Sequence, residues 1–413
     1  MRSILNWLVP ERLGRNFRWL LASSWTSNIG DGIALAAGPL LVATQTDSPM
    51  LVALAAILQR VPWLIFGLWA GALADRLDRR RQVMIANGLR AVVVAALCVT
   101  IATGRVSIVV VLTTMLLYGI AEVFADSASS TLLPMMVKRE DLGIGNHRQQ
   151  AGFLTCEQLI GPPVGAFLFA AGWLWPFAIQ VVCVSLAVLL IARISVTRTA
   201  PVTAQSHLRR DIVEGLRWVW HNAPIRTLAL TILVFNITWA APWAVLVLWA
   251  RDHLGLTEVE YGLLITAAAI GGLVGTSLYG WIERHVRLAT LMRVCLLLEV
   301  LTHFALALTT NGWVAIAIMV EFGAYAFVWG TVSGTVRQRA VPEQFQGRVG
   351  AVYRICVLGG LFIGQVLGGI IAQNWGVVAP FWFAGVGAGI TLLLVWRQLA
   401  HIAHLGDATD PAR

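Results

Sequence analysis

Gly71-Ala72-Leu73-Ala74-Asp75-Arg76-Leu77-Asp78-Arg79-Arg80-Arg81 is a short run of charge held between two long apolar segments, Leu51 to Ala70 and Val83 to Thr103. Two aspartates and four arginines in eleven residues are too costly to leave in hydrocarbon. The chain therefore turns back through water here, on one face of a membrane. The arginines choose the face, because short loops rich in Lys and Arg stay on the cytoplasmic side.

The rest of the 413 residues agrees. Hydrophobic residues make up 58% of the chain and charged residues only 12%, against about 25% charged in soluble domains. Mean hydropathy is +0.75. A net charge of +9 would suggest nucleic acid in a soluble protein. Here the arginines lie in loops between apolar spans, so no nucleic-acid partner is expected. Cys98, Cys156, Cys183, Cys295 and Cys356 all fall inside apolar stretches without metal-type spacing, so neither a metal site nor a structural disulfide is expected. Arg2, Arg12, Arg15 and Arg18 mark a cytoplasmic N-terminal segment, with no cleavage signal after them.

A spanning helix needs about 20 mostly apolar residues. Twelve candidates meet this: 17–45, 50–74, 83–103, 107–134, 145–171, 174–193, 225–250, 258–282, 288–309, 312–336, 346–373 and 376–399. Of the basic residues outside these spans, only Arg105 and Arg251 fall on the side opposite the N-terminus. Both termini are thus expected in the cytoplasm of a bacterial cell, with the chain in its inner membrane. Trp173, Trp175, Trp313 and Trp375 sit at outer ends of spans, as interfacial anchors should. Residues 194–224 separate two sets of six. Within them Arg209 to Trp220 alternates apolar and charged residues at helical spacing, which reads as an amphipathic helix on the inner surface. The expected organisation is a six-helix half over 1–193, a linker over 194–224 and a second half over 225–413.

A weak internal repeat supports the division. Asn28 and Asn236, Pro134 and Pro342, Gly71 and Gly280, and Gly161-x-x-x-Gly165 and Gly364-x-x-x-Gly368 are pairs at nearly one offset. Two parallel six-helix halves with a substrate site near the midplane are the expected consequence.

The charged run resembles the signature loop of the major facilitator superfamily, G-x-L-a-D-r-x-G-r-[KR], between its second and third helices. Within that superfamily the chain is similar to the bacterial branch of enterobactin exporters and macrolide-efflux proteins. The branch features are Asn28-Ile29-Gly30-Asp31, Glu214-Gly215-Leu216-Arg217, and Arg337-x-Arg339-x-Val341-Pro342 followed by Gly347-Arg348-Val349. The resemblance implies an all-α fold of twelve transmembrane helices in two pseudo-symmetric halves. It also implies a gate at the charged loop. Gly71 opens the loop, Asp75 meets the positive N-terminal end of the eleventh helix, and Arg76, Arg79 and Arg80 add further gate contacts. A plain topogenic arginine cluster is the competing reading. Asp78 departs from the pattern, which has Gly there.

The fifth span carries Gly161-Pro162-Pro163-Val164-Gly165-Ala166, similar to the Gly-Pro motif of the superfamily's antiporters. Small residues let helices approach closely and prolines bend them; the resemblance implies that this bend closes the outer end during transport, which makes Gly161, Pro162 and Gly165 gating candidates. Glu157 and Ala166 replace glycines of that motif, and ordinary tight packing is the alternative.

Charges at bilayer depth are costly and mark function or pairing. At ~1.5 Å per residue, Asp31, Glu122, Glu157 and Arg60 form a layer near the midplane. Three acids against one base leave a carboxylate without a cationic partner, and such a group in an apolar cavity can bind a proton at physiological pH. Arg90 and Asp126 come out at matching depths on adjacent helices and read as a structural ion pair. In the second half, Glu299 and His303 are four apart and Glu321 lies in the tenth span, with Arg354 as an alternative partner for both acids. The order of candidates for proton coupling is Asp31, Glu157, Glu122 and Glu321, with Glu299 behind them. Arg60, Phe235, Asn236, Trp239, Trp243, His303 and Tyr325 are the expected lining of a cavity for a large amphipathic ligand.

The chain has no H-E-x-x-H, G-x-S-x-G or G-x-x-x-x-G-K-[ST], so neither an enzyme nor direct ATP drive is expected. The expectation is a monomeric secondary exporter of a bulky amphipathic small molecule, by alternating access and proton antiport. It needs no cofactor beyond the proton gradient. A lysophospholipid carrier of the same fold, or a non-transporting receptor, is the alternative.

Overall fold

The computed structural model describes residues 11–195, 208–342 and 345–403. Among them the chain is helical throughout, without strands. The elements are α1 (Gly14–Gln45), α2 (Pro49–Arg76), α3 (Arg79–Ala102), α4 (Ile108–Met136), α5 (Leu142–Ala171), α6 (Leu174–Ile191), α7 (Leu208–His221), α8 (Ala223–Trp243), α9 (Glu258–His285), α10 (Leu288–Leu308), α11 (Gly312–Ala340), α12 (Gln346–Trp375) and α13 (Ala379–Ala403). Eleven of the described helices are long and apolar enough to cross a membrane. The exception among the expected twelve is α1, which has 32 residues but carries Ser23, Ser24, Thr26, Ser27, Asn28 and Asp31. It packs against α4, α5 and α6. A helix surrounded by protein need not present an apolar surface to lipid.

The chain divides into two compact units. The first comprises Met1–Asp47, Leu54–Thr203 and Leu256–Thr266; the second comprises Ser48–Ala53, Ala204–Gly255 and Ala267–Arg413. In the first unit α1 packs on α5 and α6, and α3 on α4 and α6. In the second, α8 packs on α12 and α13, and α10 on α11 and α13. The two packing schemes are the same under the repeat seen in the sequence.

The repeated glycines explain how. A Cβ on Gly161 would lie 2.4 Å from the Cα of Gly32, and one on Gly165 2.2 Å from the carbonyl oxygen of Ile33. Their counterparts Gly364 and Gly368 would collide with the carbonyls of Ile237 and Ala241, at 2.3 and 2.1 Å. So α5 rests backbone to backbone on α1, and α12 rests likewise on α8. This is the close approach that small-xxx-small spacing permits where dispersion contacts replace a hydrophobic driving force.

The charged run is more helical than its composition suggests. Helix α2 continues to Arg76 and α3 begins at Arg79, so only Leu77 and Asp78 connect them. Asp78, where the signature has glycine, is the N-cap of α3: its carboxylate accepts the amide of Arg81 at 3.1 Å. A capping side chain satisfies an amide that the helix leaves open and stabilises by about 1 kcal/mol. Asp78→Ala is therefore expected to cost about 1 kcal/mol, and Asp78→Gly only a few tenths, read as the shift in thermal unfolding of the purified protein. Equal losses in the two variants would show that the cap contributes little.

Candidate functional site

The polar centre of the first unit is built around Arg90, which is 1% exposed. Four helices supply its surroundings. From α3 itself, Asn87 Oδ1 accepts from Nη1 at 2.8 Å. From α1, Ser27 Oγ accepts from Nη1 at 3.2 Å and Asp31 Oδ1 from Nη2 at 2.5 Å. From α4, the Tyr118 hydroxyl accepts from Nη2 and donates to Asp31 Oδ1. From α6, Gln180 Nε2 donates to that same hydroxyl at 3.0 Å. The guanidinium also lies 4.7 Å from the centroid of the Tyr118 ring. A buried ion pair is tolerated when further hydrogen bonds satisfy the remaining donors and lone pairs, and this cluster does so for all but Arg90 Nε.

The structure corrects the pairing expected from depth. Arg90 forms its ion pair with Asp31, not with Asp126. Asp126 is exposed and makes no ion pair among the described residues. Equal depth placed the two on one level, but the rotation of α3 turns Arg90 toward α1. Asp31 is accordingly the compensated acid of its layer. Glu122 and Glu157 make no ion pair among the described residues. Arg60 is exposed and makes no ion pair with either acid among the described residues.

Glu157 sits in an unusual backbone. Phe153–Ile160 is a π-helix inside α5. The amide of Gly161 bonds to the carbonyl of Cys156, five residues back. Pro162 and Pro163 follow and have no amide to give, so the ordinary i to i−4 ladder cannot continue through them. The expected bend thus takes the form of a widened turn, a feature found often at functional sites. It brings the Glu157 carbonyl against Gly32, where a Cβ would lie 2.5 Å away.

Arg79 and Arg80, expected at a gate, bind within the first unit. Arg79 donates to the carbonyl of Thr131 at 3.3 Å. Arg80 donates to the carbonyls of Ile191 and Ala192 at 3.2 and 2.5 Å, at the C-terminal end of α6. A cation there complements the helix dipole. Gly71 has open space around it, with nothing within 4 Å of an added Cβ. The side chains of Asp75 and Arg76 lie outside the described residues.

The second unit has its own buried polar group. Glu299, 7% exposed, accepts from Tyr325 Oη at 2.8 Å, and its other oxygen lies 3.0 Å from Nε2 of the fully buried His303. Thr302 Oγ1 donates to Glu321 at 3.4 Å. Arg354 is exposed and forms no ion pair with either acid among the described residues. Aromatic rings run from this group toward α8. Tyr325 meets Phe322 at 5.6 Å, Phe322 meets Trp243 at 5.0 Å, and Trp243 meets Trp239 at 5.2 Å, centroid to centroid. Offset and edge contacts at such distances are favourable. Two expected lining residues serve packing instead. Phe235 is buried against Trp329 at 6.3 Å, and Asn236 donates to the carbonyl of Ile232 while its Cβ sits on Gly360.

Tyr118 and Gln180 were missed by sequence reasoning. The signal available was polarity alone, a tyrosine and a glutamine in otherwise apolar spans, and it names no partner.

Comparison with known proteins adds the following. A family described as transmembrane secretion effector matches residues 10–408. The multidrug efflux pump Tap of Mycolicibacterium fortuitum is 29% identical over 378 residues, 88% of this chain and 90% of that protein. The enterobactin exporter EntS of Escherichia coli K12 is 24% identical over 398 residues, covering 93% and 92%. Among solved structures, a bacterial homologue of the iron transporter ferroportin in an inward-facing state superposes with a TM-score of 0.74 at 16% identity, over 94% of this chain and 98% of that one. A D-xylose–proton symporter gives 0.70 at 17% identity, over 92% and 97%. These structural likenesses establish the fold.

Proposed function

We propose that this chain, which belongs to the transmembrane secretion effector family of the major facilitator superfamily, exports a bulky amphipathic small molecule by proton antiport and alternating access. Membership makes it a multi-pass membrane transporter and not an enzyme. Export is supported by end-to-end similarity to proteins named as a drug efflux pump and a siderophore exporter. The reading places both termini in the cytoplasm of a bacterial inner membrane, on the strength of the arginine distribution. A monomer driven by the proton gradient alone completes it.

The observation that carries the proton assignment is the sorting of acids in the first unit. Asp31 is tied to Arg90, whereas Glu122 and Glu157 have no ion-pair partner among the described residues. An uncompensated carboxylate in a membrane interior is costly, and a proton removes that cost reversibly. Glu157 stands on the widened turn of α5, whose backbone rests on Gly32 of α1, so an element of the α1–α5 seam carries this proton site. Glu122 is the second carrier. Trp239 and Trp243, both half-buried, offer flat apolar surface to an aromatic ligand.

The test uses acidified inside-out vesicles containing a pH-sensitive dye, with a panel of antibiotics and siderophores added outside. An antiporter takes the compound in and releases protons, so the lumen becomes less acidic. Glu157→Gln is expected to abolish this release while the protein stays folded. Compound accumulation without proton movement in the wild type would retain export and remove antiport. Full proton release in Glu157→Gln would remove Glu157 from the pathway.

A further inference from the structure

The amphipathic segment before the second set of spans folds as α7, but its exposed and buried faces are not those a simple amphipathic helix would show. One face is docked. Gly215 meets the Arg348 carbonyl, where a Cβ would lie 2.7 Å away. Glu214 pairs with Arg348 at 3.1 Å. Trp218 stacks on Phe345 at 5.5 Å, and Val219 is buried. The opposite face carries Val213, Leu216 and Trp220, which are 49, 53 and 62% exposed. Spacings of three and four put these three on one stripe, with exposed Arg217 beside it. Thus the apolar stripe of α7 is left uncovered by the described residues, and the helix is held to the second unit by its other side.

What covers the stripe follows from its neighbours. Only Asn222 separates α7 from the spanning helix α8. Arg226, in the first turn of α8, donates to the Trp220 carbonyl at 2.9 Å and lies 5.7 Å from the centroid of its ring. Trp220 therefore stands at the level where a transmembrane helix enters the bilayer, the depth at which tryptophan is enriched. The basic residues Arg217 and Arg226 border the stripe. An apolar stripe rimmed by arginine at this level matches an anionic lipid surface.

We infer that the Val213–Leu216–Trp220 face of α7 docks on the membrane surface and binds anionic phospholipid headgroups through Arg217 and Arg226. The Glu214–Arg348 pair then holds the first turn of α12 at that surface. Lipid composition would act on the helix whose glycines seat on α8.

The experiment uses the full-length protein reconstituted in vesicles of phosphatidylcholine, with or without one quarter phosphatidylglycerol. A nitroxide is placed by Leu216→Cys after the five free cysteines have been replaced. Collision with oxygen and with a water-soluble nickel chelate then reports depth. The label is expected at headgroup depth in the anionic vesicles and shallower in phosphatidylcholine. Arg217→Gln, at an exposed position, is expected to weaken partition of the face about fivefold at low salt, and Arg226→Gln similarly. A water-like profile in both vesicles overturns the inference. Equal depth in both overturns the anionic preference. A label shielded from both collision partners shows that protein, not lipid, covers the face, and overturns it as well.

Discussion

Arg90→Leu is expected to be the most damaging single change in the first unit. It leaves Asp31 charged and without its cation among α1, α4 and α6, and it removes the donor that Ser27, Asn87 and Tyr118 share. Breaking a buried pair by deleting one member costs about 3–5 kcal/mol, because the remaining charge keeps its desolvation penalty. A loss of that size should appear as a large drop in the unfolding midpoint of the purified protein. The double variant Arg90→Leu with Asp31→Asn should be more stable than the sum of the single changes predicts, since no bare charge remains. That non-additivity is the signature of direct coupling. Strict additivity would mean that the two groups do not sense one another. Asp126→Asn, by contrast, should leave stability close to wild type, which separates the observed pairing from the one that depth alone suggests.

Gly165→Leu is expected to prevent α5 from seating on α1. The first atom of any side chain there would fall 2.2 Å from the Ile33 carbonyl, with the rest of Ile33's backbone at 2.9 Å. A backbone group cannot rotate away as a side-chain tip can. Overpacking ordinarily costs about 1–3 kcal/mol and sometimes more, and this position lies at the severe end. The readout is the yield of monodisperse protein and its unfolding midpoint. Gly71→Ala is the control. It is also helical, but an added Cβ meets nothing within 4 Å, so it should be neutral or stabilising by up to about 1 kcal/mol. If Gly165→Leu were tolerated like Gly71→Ala, the close seam between α1 and α5 would not exist in the membrane.

Much of this architecture was legible beforehand. Eleven of the twelve expected spans fall on α1–α6 and α9–α13 with edges a few residues off, because a residue's transfer into lipid depends on the residue itself; the seventh, 225–250, is broken, α8 ending at Trp243 and a short helical segment resuming at Leu246. The repeat of Gly161-x-x-x-Gly165 in Gly364-x-x-x-Gly368 foretold two equivalent seams. Exposed Trp173, Trp175, Trp313 and Trp375 lie at helix ends as expected. The charged run was less legible. Its composition reads as an aqueous loop, yet Asp78 caps α3 and leaves a two-residue link. Capping depends on backbone geometry at one position, which composition does not encode.

The polar centres show where reading residues in order runs out. Hydropathy and charge place Arg90, Asp31, Glu157 and Glu299 inside the membrane and make them functional candidates, since each of these properties belongs to a residue or a short window. Which of them meet depends on how far each helix is rotated about its axis, and packing against neighbours sets that rotation. Arg90 is turned to Asp31 and Tyr118, Glu299 to His303 and Tyr325, and the apolar stripe of α7 away from the protein. Those choices arise from contacts between segments distant in sequence, so they exist only once the helices have assembled.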